Sequence, residues 1–276
     1  MGKIEDQETS NVFQHIIIYN LRRSMFFKKK DLDRQKDLES QYLTEYLSLL
    51  RARYANFTSL LVLLDNQLRN NDLDSQSNYI VDDILHNPIF EMINKIESFQ
   101  EGPLRVIENH LQHTFGNGDL LIPLFISKNV KNVFKELFDK GRISQDLRCQ
   151  LAEFVDWYNG QAENLALLGD RIIDFSLFFD SISNNHSMNL TKEDINHLRI
   201  RTENFTFSHL FSKWGFDEFV FPMIPHLRDQ EQKSSEDKAM IIEFLYAIIF
   251  IEKGFEGYID LVVNTLPKVD EIFSIE

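Results

Sequence analysis

Two stripes of apolar residues, spaced alternately four and three positions apart, constrain the fold of this chain more than any other feature. The first stripe consists of Leu43, Leu47, Leu50, Tyr54, Phe57, Leu61, Leu64 and Leu68, and the second of Leu147, Leu151, Phe154, Tyr158, Gln161, Leu165, Leu168, Ile172, Phe175, Phe179 and Ile182. An average spacing of 3.5 residues keeps one side of an α-helix facing a partner helix along its length. The sequence therefore predicts an all-α fold, an elongated helical bundle built around two long heptad-patterned helices at about 31–69 and 144–182.

The residues that break or cap helices support this prediction. The chain of 276 residues contains only 10 Gly and 6 Pro, and both residue types are penalised inside helices. Pro103 suits the first position of a helix, Gly141 a helix end and Ser144 the start of the second long helix. Thr191 and Asp194 have the spacing of a capping box. Gly160 and Gly169 lie inside the second long helix, where a small residue permits either a bend or the close approach of a neighbouring helix.

Four segments are expected along the chain. Residues 1–30 form an N-terminal arm that is basic and apolar, and residues 31–227 form the main helical domain. Residues 228–238 (RDQEQKSSEDK) contain nothing apolar and are predicted to be a polar linker. Residues 239–276 are predicted to form a C-terminal pair of helices that packs on the main domain.

The net charge is −14, and a chain this acidic repels nucleic acid and anionic membranes unless its positive charge is concentrated. The positive charge is concentrated in residues 11–30, which hold five basic residues and no acidic ones. These candidate anion-binding residues are Arg22, Arg23, Lys28, Lys29 and Lys30. Three interpretations stay open: residues 12–30 lie on an anionic membrane surface, contact phosphates, or dock onto the acidic remainder of the chain.

The sequence predicts a cytoplasmic protein without a membrane span. A single cysteine, Cys149, excludes an internal disulfide and fits a reducing compartment. The first eleven residues are polar and mixed in charge, unlike a secretory signal. The longest apolar run, residues 239–251, is interrupted by Glu243, and its roughly 13 residues fall short of the roughly 20 that span a bilayer. A buried core helix is expected there.

The chain contains no glycine-rich phosphate loop, nucleophile elbow or paired-cysteine motif. Arg105 and His110 have the R-x4-H spacing used by helical HEPN-type ribonucleases, in which the His acts as acid or base and the Arg contacts the phosphate. Chance alone gives about one such match in a chain of this composition. A helical ribonuclease centred on Arg105 and His110 is therefore the alternative function, and the chain is not assigned to that family.

Two further sets of residues are candidate metal ligands. His110 and His113 stand three positions apart, but the spacing offers no third ligand for zinc. Glu163, Asp170 and Asp174 share one face of the second long helix, where they would either hold a divalent cation or form a solvated face. The solvated face is favoured, so neither a metal nor another cofactor is predicted.

Two features bear on partners. Gln161 interrupts the second stripe, and a single polar residue in an apolar seam sets the register of helix pairing; simple exposure at a bend is the alternative. The segment from 205 to 221 is rich in aromatic residues and is followed by two prolines. It would either close the core or form a groove for an apolar partner segment. Its candidate partner-binding residues are Phe205, Phe207, Phe211, Trp214, Phe216, Phe219 and Phe221.

These observations favour a non-enzymatic helical interaction module, meaning a scaffold, adaptor or regulatory subunit of a larger assembly. It would bind a protein partner, or associate with itself through the helix seams. The helical ribonuclease is the first alternative and a peripheral membrane-associated protein the second.

Overall fold

The computed structural model describes residues 29–72, 89, 92–126, 130–185, 190–220 and 234–267. Its helices are α1 (Lys29–Asp72), α2 (Pro103–Leu111), α3 (Val130–Asp139), α4 (Gln145–Asn185), α5 (Lys192–Thr202), α6 (Asn204–Lys213) and α7 (Ser235–Thr265), together with 3-10 helices at Gly118–Phe125 and Phe216–Phe219 and a helical stretch at 92–98. These described residues contain no β-strand. The predicted all-α fold is confirmed, and α1 with 44 residues and α4 with 41 are the two longest of these helices.

The ends of several helices follow from the residues predicted to cap them. Ser144 accepts a hydrogen bond from the backbone N–H of Leu147 at 3.2 Å. Thr191 and Asp194 form the complete capping box at the start of α5. Pro103 opens α2, and Gly141 adopts a left-handed backbone conformation with φ of 69° just after α3. These predictions are confirmed because each depends on local backbone geometry, which a short stretch of sequence determines.

Contacts divide the chain into two compact units, Met1–Arg53 and Tyr54–Glu276, with the boundary inside α1. The described part of the first unit is helical from Lys29 onward, and its Tyr46 and Leu50 side chains are buried. The second unit contains all the other elements. The four segments expected from the sequence stay predictions.

Within the second unit, α1 and α4 pack against each other in antiparallel directions. The rings of Phe57 and Phe154 are stacked, with centroids 4.1 Å apart and an interplanar angle of 10°. The backbone N–H of Ser144 donates to Gln67 Oε1 at 3.0 Å. A step of ten residues forward along α1, from Phe57 to Gln67, thus matches a step of ten residues backward along α4, from Phe154 to Ser144. The two helices therefore run in opposite directions. Phe57 and Phe154, one residue from each apolar stripe, thus contact each other within one chain.

The buried face of α4 and its apolar stripe diverge after Leu168. The buried positions beyond it are Gly169, Ile173, Ser176 and Leu177, whereas Phe179, a stripe residue, is 45% exposed. A helix with 3.6 residues per turn drifts about 20° per heptad relative to a 3.5-residue repeat. The drift turns the stripe away from the core, so that apolar side chains emerge near the end of α4.

Helix α7 packs on both α4 and α6. Nearly every residue from Ala239 to Phe250 is buried, as expected for a core helix, while Met240 and Glu243 are partly exposed. Gly254 interrupts α7 with φ of 70° and ψ of 179°. Within the described residues, no helix is long and apolar enough to cross a membrane.

Candidate functional site

A cleft of about 320 Å³ opens between α4 and α7. Four carboxylate side chains line it: Glu163 and Asp170 from α4, and Glu236 and Glu243 from α7. Its other lining residues are Ala166, Leu167, Met240 and Asn204. No Lys, Arg or His takes part in this lining. The cleft therefore combines apolar side chains with four carboxylates.

Gly169 permits the close approach of the two helices beside this cleft. A Cβ atom at Gly169 would lie 1.9 Å from the backbone carbonyl oxygen of Glu243, well inside any tolerated contact. By contrast, a Cβ atom at Gly160 would meet nothing within 4 Å. The close approach weighed from the sequence is thus confirmed at Gly169, and it holds Glu243 against the carboxylates of α4.

The carboxylates of the cleft are crowded, and few cations balance them. Asp170 and Asp174 stand four positions apart on α4, a spacing at which like charges repel on one helix face. Among the described residues, the cation paired with a cleft carboxylate is Arg171, whose Nε lies 3.7 Å from Asp170 Oδ2. That guanidinium side chain is 62% exposed, so its attraction is screened by water.

Two carboxyl groups of the cleft, those of Glu243 and Asp170, have raised pKa values. Burial raises the pKa of Glu243 to about 7, with further contributions from the negative charges of Asp170 and Asp174. Burial and the neighbouring Asp174 also raise the pKa of Asp170, which Arg171 opposes. A bound cation would reverse these effects, because an opposite charge nearby favours the ionised carboxylate.

The sequence identified only half of this site. Glu163, Asp170 and Asp174 were recognised as sharing one face of a helix, because their spacing fixes that geometry. Glu236 and Glu243 were missed as partners, since no sequence spacing relates residues of α7 to α4. No group of three or more potential ligands in the described residues is arranged to hold a metal ion. The four carboxylates of the cleft come from two helices, α4 and α7.

The two residues of the ribonuclease alternative lie on α2. Arg105 and His110 are both exposed, and the His110 ring stacks on Trp214 with centroids 5.2 Å apart. Partial burial lowers the pKa of His110, which favours its neutral form. Five positions on an α-helix correspond to a rotation of about 140°, so the two side chains start from different faces. The ribonuclease alternative stays a prediction.

His113, the second residue of the histidine pair, has a different role from that of His110. His113 is buried, and its Nε2 lies 2.7 Å from Glu252 Oε2. The other oxygen of Glu252 accepts from the backbone N–H of Gly116 at 3.1 Å. This arrangement fastens the loop after α2 to α7, and it was missed because Glu252 is remote in the sequence.

The aromatic segment contributes mainly to the core. Phe207, Phe211 and Phe216 are fully buried, Trp214 and Phe219 are partly exposed, Phe205 is 67% exposed, and Phe221 lies outside the described residues. Phe125 contacts three of these rings at centroid distances of 5.9–6.3 Å. The burial supports closure of the core, the first of the two interpretations, and the predicted partner-binding role stays a prediction.

The remaining candidates are Gln161 and the basic residues of the N-terminal arm. Gln161 is 7% exposed, so its side chain is buried rather than simply exposed, and its register-setting role stays a prediction. Arg22, Arg23 and Lys28 lie outside the described residues. Lys29 and Lys30 belong to the first turn of α1, but their side chains are also outside that description. The anion-binding prediction stays open.

Comparisons with protein families, with curated proteins and with solved structures found no match for this chain.

Proposed function

We propose that this protein is a non-enzymatic helical interaction module that binds a partner protein along the exposed face of α4 beside the cleft. One observation carries the proposal: α4 is a core helix on one side and presents large apolar side chains on the other. Leu167 is 53% exposed and Phe178 46%, and the two lie about 20° apart around the helix axis. Apolar side chains on one face, bordered by charged residues, are typical of helix-in-groove and helix-on-helix recognition.

A scaffold, adaptor or regulatory subunit in the cytoplasm fits this proposal. The stacking of Phe57 on Phe154 within the chain favours binding through the outer face of α4 over self-association through the seams. Nucleic acid fits the face poorly, because the carboxylates beside it would repel phosphates.

A pair of matched substitutions tests the proposal. Leu167→Asp places a charge on the proposed face, and Leu63→Asp places the same charge on α1 at a residue that is 52% exposed. We expect both variants to keep the helicity and melting temperature of the wild type within a few degrees, because both positions are solvent-accessible. Tagged chains purified from the native host should then differ, with the partner lost by Leu167→Asp and retained by Leu63→Asp.

Two results would contradict the proposal. The partner could be retained by both variants, which would exclude this face. Alternatively, the wild-type chain could emerge alone or with bound RNA. In the second case, cleavage assays with Arg105→Ala and His110→Ala would test the ribonuclease alternative directly.

A further inference from the structure

We propose that the partner segment is an amphipathic helix with Lys or Arg beside its apolar face, and that it lies in the cleft and along the face of α4 that continues it. This inference rests on the proposed function and adds the chemistry of the ligand. It is drawn from the register of apolar and acidic side chains along α4 and from the carboxylates that α7 adds.

The first step is the register along α4. Glu163, Leu167, Asp170, Asp174 and Phe178 follow one another at steps of four, three, four and four, which keeps them on one face. Leu167 and Phe178 are eleven residues apart and differ by about 20° around the helix axis. The face extends about 22 Å at 1.5 Å per residue, the length of a ligand helix of about 15 residues.

The second step is charge complementarity. Acidic side chains flank the apolar residues from both helices, since Glu236 and Glu243 of α7 face Glu163 and Asp170 of α4 across the cleft. In the described part of the chain, no ion pair involves Glu163, Asp174, Glu236 or Glu243. A ligand with basic side chains beside an apolar stripe would satisfy both parts of the surface at once.

The third step excludes other occupants by their chemistry. An uncharged apolar helix would cover Leu167 and Met240 but leave carboxylates desolvated without partners, which is costly. A single metal ion lacks a ligand set among the described residues. A cationic amphipathic helix meets neither objection.

The probe is a labelled synthetic peptide of about 15 residues, with Leu at positions i, i+4, i+7 and i+11 and Lys on either side of that stripe. Its control is a peptide of identical composition with the order scrambled, which keeps the charge but removes the apolar face. Binding to the full chain is measured by fluorescence anisotropy at about 150 mM NaCl, where long-range attraction is largely screened. We expect the patterned peptide to bind at least about tenfold more tightly than the scrambled one.

Variants of equal net charge locate the binding. Glu163→Gln with Glu236→Gln removes two cleft carboxylates, and Asp139→Asn with Glu153→Gln removes two exposed carboxylates elsewhere. We expect the cleft variant to bind the patterned peptide about tenfold more weakly, and the control variant to change its affinity less than about twofold. Circular dichroism of both variants checks that the helices are retained.

Three outcomes would overturn the inference. The two peptides could bind alike, which would indicate unspecific attraction to an acidic chain, or the two variants could weaken binding alike. In a third outcome, replacement of Lys28, Lys29 and Lys30 by Gln would tighten binding of the patterned peptide but not of the scrambled one, assigning the cleft to the chain's own basic segment. If Leu167→Asp loses the native partner while no cationic peptide binds, the proposed function stands and only the ligand chemistry fails.

Discussion

At the scale of single residues, Glu243 determines how the cleft responds to pH. Its carboxyl group has a raised pKa of about 7 because it is largely buried beside Asp170 and Asp174. The folded state therefore binds this proton more tightly than the unfolded state does. The resulting stabilisation is complete below pH 4.5, the ordinary pKa of the group, and is lost as the pH rises through 7.

Glu243→Gln should remove this pH dependence. We expect the variant to be more stable than the wild type by about 1–2 kcal/mol at pH 8, a value reduced from the full pKa shift because water screens the group. The advantage should disappear near pH 5, where the wild-type carboxyl is protonated. Urea unfolding at the two pH values measures the difference.

Glu153→Gln, at an exposed carboxylate of α4, is the control for that experiment and should show no such change with pH. If Glu243→Gln raised the free energy of unfolding by the same amount at both pH values, the electrostatic explanation would be contradicted.

At the scale of helices, the packing of α4 on α7 depends on Gly169. We expect Gly169→Ala to lower the free energy of unfolding by about 1–3 kcal/mol, because its methyl group would collide with the backbone of Glu243 and force the helices apart. Gly160 lies on the same helix, and a Cβ atom there would meet no atom within 4 Å. Gly160→Ala should be neutral or more stable by up to about 1 kcal/mol, since Ala is the better helix former.

Chemical unfolding of the two glycine variants, measured side by side, checks the contrast. Equal effects would show that helix propensity decides the stability at both positions and that the close approach does not.

The helices themselves were predictable from the sequence, whereas their mutual packing was not. The predicted limits of about 31–69 and 144–182 agree with α1 and α4 to within three residues, because a long apolar period averages over many side chains. Beyond Leu168 the buried positions of α4 no longer follow the apolar stripe, since the difference between 3.5 and 3.6 residues per turn becomes visible only over several heptads. Glu236 and Glu243 could not be assigned to the cleft, because a sequence does not state which helix faces which.

At the scale of the whole molecule, the net charge of −14 opposes the compact state through self-repulsion. We expect the melting temperature to rise by about 2–4 °C between low salt and about 0.5 M NaCl, because added ions screen the repulsion. In the variant with Glu163→Gln and Glu236→Gln, the melting temperature should rise less with salt, since two of the carboxylates that repel one another have been removed. A melting temperature that falls with salt would show that attractive ion pairs outweigh the repulsion.

The antiparallel stacking of Phe57 on Phe154 also has a consequence for synthesis on the ribosome. About 97 residues separate the two rings, and chains grow at roughly 5–20 residues per second. Phe154 is therefore synthesised about 5–20 s after Phe57. During that interval the growing chain exposes an apolar helix face, so nascent α1 is a segment that a chaperone would protect.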